Sequence, residues 1–194
     1  MDAHNLWQGS TVRLRAVEPA DWETFYAWND DSEVARSSYF IPFPSSTESV
    51  KQWAAETAAA PPKDDAFRWV IENRQGELVG TLNTHSCDPR HGTFRYGVAI
   101  RRAHWNRGYA RAAIRLVLAY YFHELRYQKV TVSVYDFNAA SLALHARLGF
   151  RTEGRLRRMI HTNGAYHDEI LLGLTAEEFA GRWGAPLPAP ASAP

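Results

Sequence analysis

The sequence predicts an α/β fold, a single domain with a largely antiparallel central sheet flanked by helices. Three observations carry this. Apolar or alternating runs at 11–16, 67–72, 78–85, 93–100, 129–134, 151–160 and 166–174 read as strands, and helical periodicity falls between them rather than in one block. Asn163-Gly164, between the last two runs, is the strongest two-residue hairpin signal. The stretch Tyr96 to Ala110 passes from an apolar strand, Val98 to Ile100, across a basic turn and into a long amphipathic helix near Gly108.

In chain order, Thr11 to Ala16 alternates Val12 and Leu14 against Arg13 and Arg15 and forms the first strand. Glu18 to Asp21 is a turn and N-cap, after which Trp22, Phe25, Tyr26 and Trp28 recur at helical spacing. An acidic break follows at Asp30 to Glu33, then a further half-turn of helix over Val34 to Tyr39. Ile41-Pro42-Phe43-Pro44 excludes regular structure, and Ser45 with Glu48 resembles a capping box opening a helix to about Ala60. The strands at 67–72 and 78–85 form a hairpin through Asn73 to Gly76, and Thr93 to Ile100 is the third strand of this group. In the helix from Gly108, Ala110, Ile114, Val117, Leu118, Tyr121, Phe122 and Leu125 share a face. Lys129 to Val134 is β-branched, and Asn138 caps a helix that ends at Gly149. The closing hairpin precedes a short helix at 175–183. The domain is expected to span 1–184, and the Pro/Ala-rich segment 185–194 to be disordered.

Composition excludes several classes. A net charge of +1 argues against a nucleic-acid partner, and no apolar run approaches the ~18 residues needed to cross a bilayer, so no membrane role is expected. The N-terminal residues lack the basic start and apolar core of a signal peptide. The single Cys87 excludes a disulfide framework and suits a reducing cytoplasm. The histidines lack ligand spacing, so no metal is expected.

A strand, a turn rich in N–H groups and a helix N-terminus together suit a phosphate, and this turn adds Arg101, Arg102, His104 and Arg107. Three motifs sharpen that reading. They are Trp105-Asn106-Arg107-Gly108-Tyr109-Ala110; Asn138 and Ser141 followed by Gly149-Phe150; and Glu153-Gly154 followed by Asn163-Gly164, Tyr166 and Asp168. In this order and spacing they resemble the GCN5-related N-acetyltransferases (GNAT), most nearly the branch acetylating ribosomal-protein N-termini. The resemblance covers roughly 11–178. Asn106 departs from it, standing where that branch usually has glycine.

The resemblance implies a GNAT-like sheet and an acetyl-CoA-dependent transfer of acetyl to a primary amine, borne by a small molecule or a peptide. A protein N-terminus is the first choice of acceptor, and a polyamine or an antibiotic amine the second. A non-catalytic acyl-CoA-binding module is the rival of a different class. The strand at Val98, Ala99 and Ile100 is implied to pair with the pantetheine arm while the strand at Lys129 to Val134 splays away. Trp105, Asn106, Arg107, Gly108, Tyr109, Ala110 and Asn138 complete the implied cofactor set, with Arg102 or Arg107 adding a charge-assisted contact. Many relatives carry a tyrosine as general acid seven residues after the helix asparagine, where this chain has His145. The ribosomal-protein branch implies Ser141 instead, and the two residues share a helix face. A packing histidine and a serine that merely fits the first helical turn are the bland alternatives. For the base, His85, His161, Asp168, Glu169 and water all remain open.

Acidic and aromatic residues over 21–33 suit a cationic amine, with Trp28, Asp30, Asp31 and Glu33 as candidate contacts. A solvated acidic face over an aromatic core explains the same pattern. Strand alternation would send Arg155 and Arg157 to one face and Leu156 and Arg158 to the other, which reads as plain hairpin surface or as a contact for an acidic peptide or a homodimer partner.

Overall fold

The computed structural model describes residues 5–38 and 40–184 of the chain. The expected tail at 185–194 lies outside them, as does Tyr39. Seven strands form one sheet in the order β1-β2-β3-β4-β5-β7-β6. They are β1 (Val12–Arg15), β2 (Arg68–Asn73), β3 (Leu78–Asp88), β4 (Thr93–Ile100), β5 (Lys129–Tyr135), β6 (Arg151–Thr162) and β7 (Ala165–Thr175). Every neighbouring pair is antiparallel except β4 and β5. A parallel pair needs a crossover, and α4 (Tyr109–His123) supplies it. The other helices are α1 (Trp22–Trp28), α2 (Ser32–Ser38), α3 (Thr47–Ala59), α5 (Ala139–Leu148) and α6 (Ala176–Trp183).

Strand alternation divides the sheet into two faces, each with its own core. Register aligns Trp69, Leu82 and Val98 on one face, and that face packs with Ile114, Val117, Leu118 and Tyr121 of α4. Tyr121 stacks on Phe94 at 4.2 Å, and its hydroxyl is bonded to the Thr84 hydroxyl at 2.6 Å and donates to the Asp65 carbonyl. On the other face lie Val70, Thr81, Ala99, Gly97 and Arg95, and here Val70 packs with Phe25 of α1 and Val50 of α3. The sheet therefore separates a helix-α4 side from a helix-α1/α3 side.

The structure changes some local expectations. Three helices rather than two precede β2, because the 32–38 segment closes a full helix on Asp31, whose Oδ1 accepts from the Glu33 and Val34 amides. The N-cap of α3 is Ser46, not Ser45. Its hydroxyl accepts from Ser49 N at 3.1 Å, one residue later than the capping-box pattern placed it. The Asn163-Gly164 turn gives the two-residue register, with His161 opposite Tyr166 and Ile160 opposite His167. Alternation fails at Arg157 to Met159, because a bulge sets these residues against Asp168 alone. Arg158 takes a φ of 58° there, and its amide donates to Asp168 Oδ1.

Candidate active site

The parallel junction does not close. Thr93, Phe94 and Arg95 pair with Lys129, Val130 and Thr131, and no rung follows. Beyond Arg95, β4 keeps its pairing with β3 as far as Ile100 but has lost its other neighbour. Buried backbone groups without partners are costly, so a stretch of half-paired strand marks a place for an outside partner. A cleft of about 810 Å³ fills the gap, lined by Gly97 to Ile100 on one side and Val132 to Tyr135 on the other.

One end of the cleft meets the start of α4. Gly108 caps this helix at φ 79° with no side-chain cap bond, so the first-turn amides keep free hydrogen-bonding capacity. A Cβ built on Gly108 would meet no protein atom within 4 Å and would project into open space. Asn106 is also left-handed, at φ 61°, and asparagine is among the few side chains that tolerate this. That accounts for its standing where the branch has glycine. The Trp105 indole N–H donates to the Ile100 carbonyl at 2.7 Å and staples the loop onto the end of β4. Trp105 to Arg111 all line the cleft.

The four basic side chains of the turn do not act together. Arg101 and Arg102 lie outside the cleft lining, while His104 and Arg107 are part of it. His104 is buried, with Nε2 3.3 Å from Glu77 Oε1. Arg102 makes a two-pronged bond to Asp31, Nε to Oδ2 at 2.7 Å and Nη2 to Oδ1 at 2.6 Å. That bond holds the Asp31 carboxyl down at about pH 2. Stability from a depressed carboxyl is present above its unfolded value near ~4 and lost as pH falls towards 2. The difference in melting temperature between wild type and Asp31→Asn is therefore expected to shrink across that window in an acid titration.

None of the four residues expected to meet a cationic amine lines this cleft. Trp28 sits in a second hollow with Phe25 and Trp53, Asp31 is spent on Arg102, Glu33 pairs with Arg36 at 3.7 Å, and Asp30 faces solvent. The acidic segment is thus largely neutralised within the fold. Asp21 likewise holds Arg15, at 2.7 and 2.8 Å. Residues the pattern did not single out take the position instead, namely Val34, Ser37 and Ser38 of α2 together with Arg95. Only the missing rungs after Arg95 could have exposed them, and local periodicity does not report rungs.

Helix α5 forms the other wall. Asn138 Oδ1 accepts from Ser141 N at 3.0 Å as the expected cap, while its Nδ2 donates to the Ser37 carbonyl of α2 at 3.1 Å. His145 is buried against Tyr96 and Phe150. Its Nδ1 lies 2.8 Å from the Ser141 carbonyl and 3.3 Å from the Ser141 hydroxyl. A carbonyl can only accept, so Nδ1 carries the proton and Nε2 the lone pair. Nε2 is buried with no partner among the described residues. Burial lowers the His145 pKa, opposed by the bond to Ser141, so the ring is held neutral.

Among the open bases, Asp168 is held by Arg155 at 2.6 Å and by the Arg158 amide, the latter the larger cause of its lowered pKa. His161 meets Tyr166 edge-on along the hairpin and does not line the cleft. His85 and Glu169 do line it. The His85 pKa is lowered by burial and then by Arg95. Glu169 has no bonded partner among the described residues and is the one carboxylate in the cleft lining.

Comparison with known families agrees with this geometry. The acetyltransferase (GNAT) domain model matches residues 11–151. The chain belongs to the GNAT acetyltransferase family. GNAT relatives include the SPbeta prophage-derived N-acetyltransferase YokL of Bacillus subtilis, 39% identical over 91% of this chain and 97% of YokL. The spermidine N(1)-acetyltransferase of Vibrio cholerae is 26% identical over 89% of this chain and 98% of its own. The fold superposes on spermidine N-acetyltransferase from Vibrio cholerae in complex with CoA and spermine, with a TM-score of 0.76 at 23% identity over 88% and 99% of the two chains. This protein is an N-acetyltransferase of the GNAT fold, a fold that uses acetyl-CoA. Among the described residues, no helix is long and apolar enough to cross a membrane.

Proposed function

We propose that this enzyme transfers acetyl from acetyl-CoA to a protein N-terminal amine of the ribosomal-protein type. The observation that carries the reading is the loss of β4–β5 rungs after Arg95, which opens a passage through the sheet between its two helical sides. The exposed edge at Gly97 to Ile100 pairs with the extended pantetheine arm. The amides of Tyr109, Ala110 and Arg111, with Arg107, hold the pyrophosphate at the helix start. The amine enters from the α1/α3 side, where Glu169 receives it.

The amine must lose a proton before it attacks, since an ammonium has no lone pair. His85, whose pKa is lowered by partial burial and then by Arg95, can take it through bridging water. Amides of β4 on the open side stabilise the oxyanion. Ser141, rather than His145, then donates to the departing thiolate. A neutral His145 with its proton on Nδ1 has none on Nε2 to give. Its Nδ1–H also faces the Ser141 oxygen, which leaves the hydroxyl hydrogen free to point at the sulfur. His145 thus acts as a positioning residue for Ser141.

Ser141→Ala is expected to lower kcat by roughly 10- to 100-fold with KM for acetyl-CoA little changed, as for loss of a proton donor used at one step. His145→Phe is expected to lower kcat less. The larger loss in His145→Phe would reverse these roles. The enzyme reading itself is tested by free CoA released from acetyl-CoA with peptides, polyamines and aminoglycosides. CoA binding without release across the panel would make the protein a binding module. Preference for spermidine would move it to the acceptor class of the Vibrio cholerae relative.

A further inference from the structure

The acceptor side of the cleft carries two opposite charges on one face of the sheet, and neither is used inside the fold. Register places Arg95 opposite His85 on β3 and beside Thr131 on β5. Side chains of one face recur every second residue, so Thr131, Ser133 and Tyr135 share the face of Arg95. Tyr135 is paired with Glu169 on β7, which brings Glu169 to that same face. Arg95 and Glu169 both line the cleft, and neither makes an ion pair among the described residues. The remaining lining arginines, Arg107, Arg111 and Arg147, belong to the α4 loop, α4 and α5, on the donor side. The acceptor side therefore offers one carboxylate and one guanidinium.

We propose that the preferred acceptor is a peptide whose N-terminal ammonium meets Glu169 and whose early acidic side chain meets Arg95. This rests on the N-terminal acetylation reading above and narrows it. A polyamine would set a second ammonium against Arg95 and find Asp21, Asp31 and Glu33 already paired within the fold. A free amino acid is too short. Thr131 and Tyr135 are four residues apart, about 13 Å along a strand at ~3.3 Å per residue, and Arg95 and Glu169 flank β5 on opposite sides, two spacings of ~4.8 Å, so their backbones lie about 16 Å apart. Side chains shorten that gap, but an α-carboxylate two bonds from its amine does not bridge it. An extended peptide covers it within about four to five residues.

The test is kcat/KM, read as CoA released from acetyl-CoA, for hexapeptides with serine first. One series carries aspartate at positions two to four, one carries alanine there and one carries lysine; spermidine completes the set. The wild-type enzyme is expected to favour the aspartate series over alanine by about fivefold or more, the scale of one partly exposed ion pair. Lysine peptides and spermidine are expected to fall below alanine. Arg95→Gln should bring the aspartate-to-alanine ratio close to one, and Arg95→Glu should invert it. Moving the aspartate to position six should remove the advantage. Equal turnover of the three series, or preference for lysine or spermidine, would overturn the proposal while leaving acetyl transfer intact. An equal fall of both series in Arg95→Gln would do the same, since it would mark a merely structural arginine. Absence of CoA release with every peptide would instead remove the N-terminal acetylation reading on which this one stands.

Discussion

Gly108→Val is expected to fold and to lose CoA. The residue sits at φ 79°, where a Cβ strains the backbone by roughly 1–2 kcal/mol, more for a β-branched side chain. A Cβ there meets no protein atom within 4 Å, so the loop has room for it. It occupies the space from which an anion would approach the Tyr109 and Ala110 amides. Hydrogen bonds to a charged group contribute about 1.5–3 kcal/mol each, so losing two weakens CoA by about a hundredfold or more. Gly76→Val is the control. Gly76 has a φ of 76°, also has open space around its Cβ, and lies in the β2–β3 turn away from the cleft. It should show comparable strain in a thermal melt and unchanged CoA affinity by calorimetry. Equal affinities in the two variants would take the anion site away from this loop.

Gly80→Ala is expected to cost the fold directly. A Cβ at this position in β3 would lie 2.5 Å from the Ala99 carbonyl oxygen and 2.6 Å from Ile100 Cδ1. The first of these is backbone and cannot rotate away, so β4 must move. Overpacking of this kind costs about 1–3 kcal/mol. For a chain of this size each kcal/mol lowers Tm by about 2–4 °C. The displaced residues, Ala99 and Ile100, form the cleft wall, so affinity for CoA should fall with Tm. An unchanged melting curve would contradict the close approach of β3 to β4.

Much of this was legible in the chain itself. The Gly108 loop, the Asn138 cap, the Gly149 stop at φ 103° and the Asn163-Gly164 hairpin are local devices. Each depends on the backbone freedom or hydrogen-bonding reach of one or two residues, and these are properties of residue type. Periodicity set the strands and helices for the same reason, since burial of one face writes itself into neighbouring positions. The exceptions are instructive. The bulge at Arg157 to Met159 is bonded to Asp168 of the partner strand through the Arg158 amide, and the α3 cap slips by one residue within a run of Ser45, Ser46 and Thr47 that all suit the role.

Charge was where sequence reasoning misled. Asp31 and Glu33 looked free because their partners, Arg102 and Arg36, are identified only by folding, and Asp31 meets an arginine 71 residues away. Glu169 was one of several acids until the hairpin consumed Asp168 and left it alone in the cleft. His145 read as an acid by position, and its tautomer was decided by a carbonyl one helical turn back.

The sequence by itself determined the order of elements, the turn chemistry, the anion-suited loop and the family resemblance, because each is carried by neighbours along the chain. The tertiary structure alone decided where the β4–β5 ladder stops, which charges remain unpaired, and that Arg95 and Glu169 share one face. Those outcomes depend on pairing between distant segments. A charge is free or spent according to what the fold brings to it, and no local pattern records that.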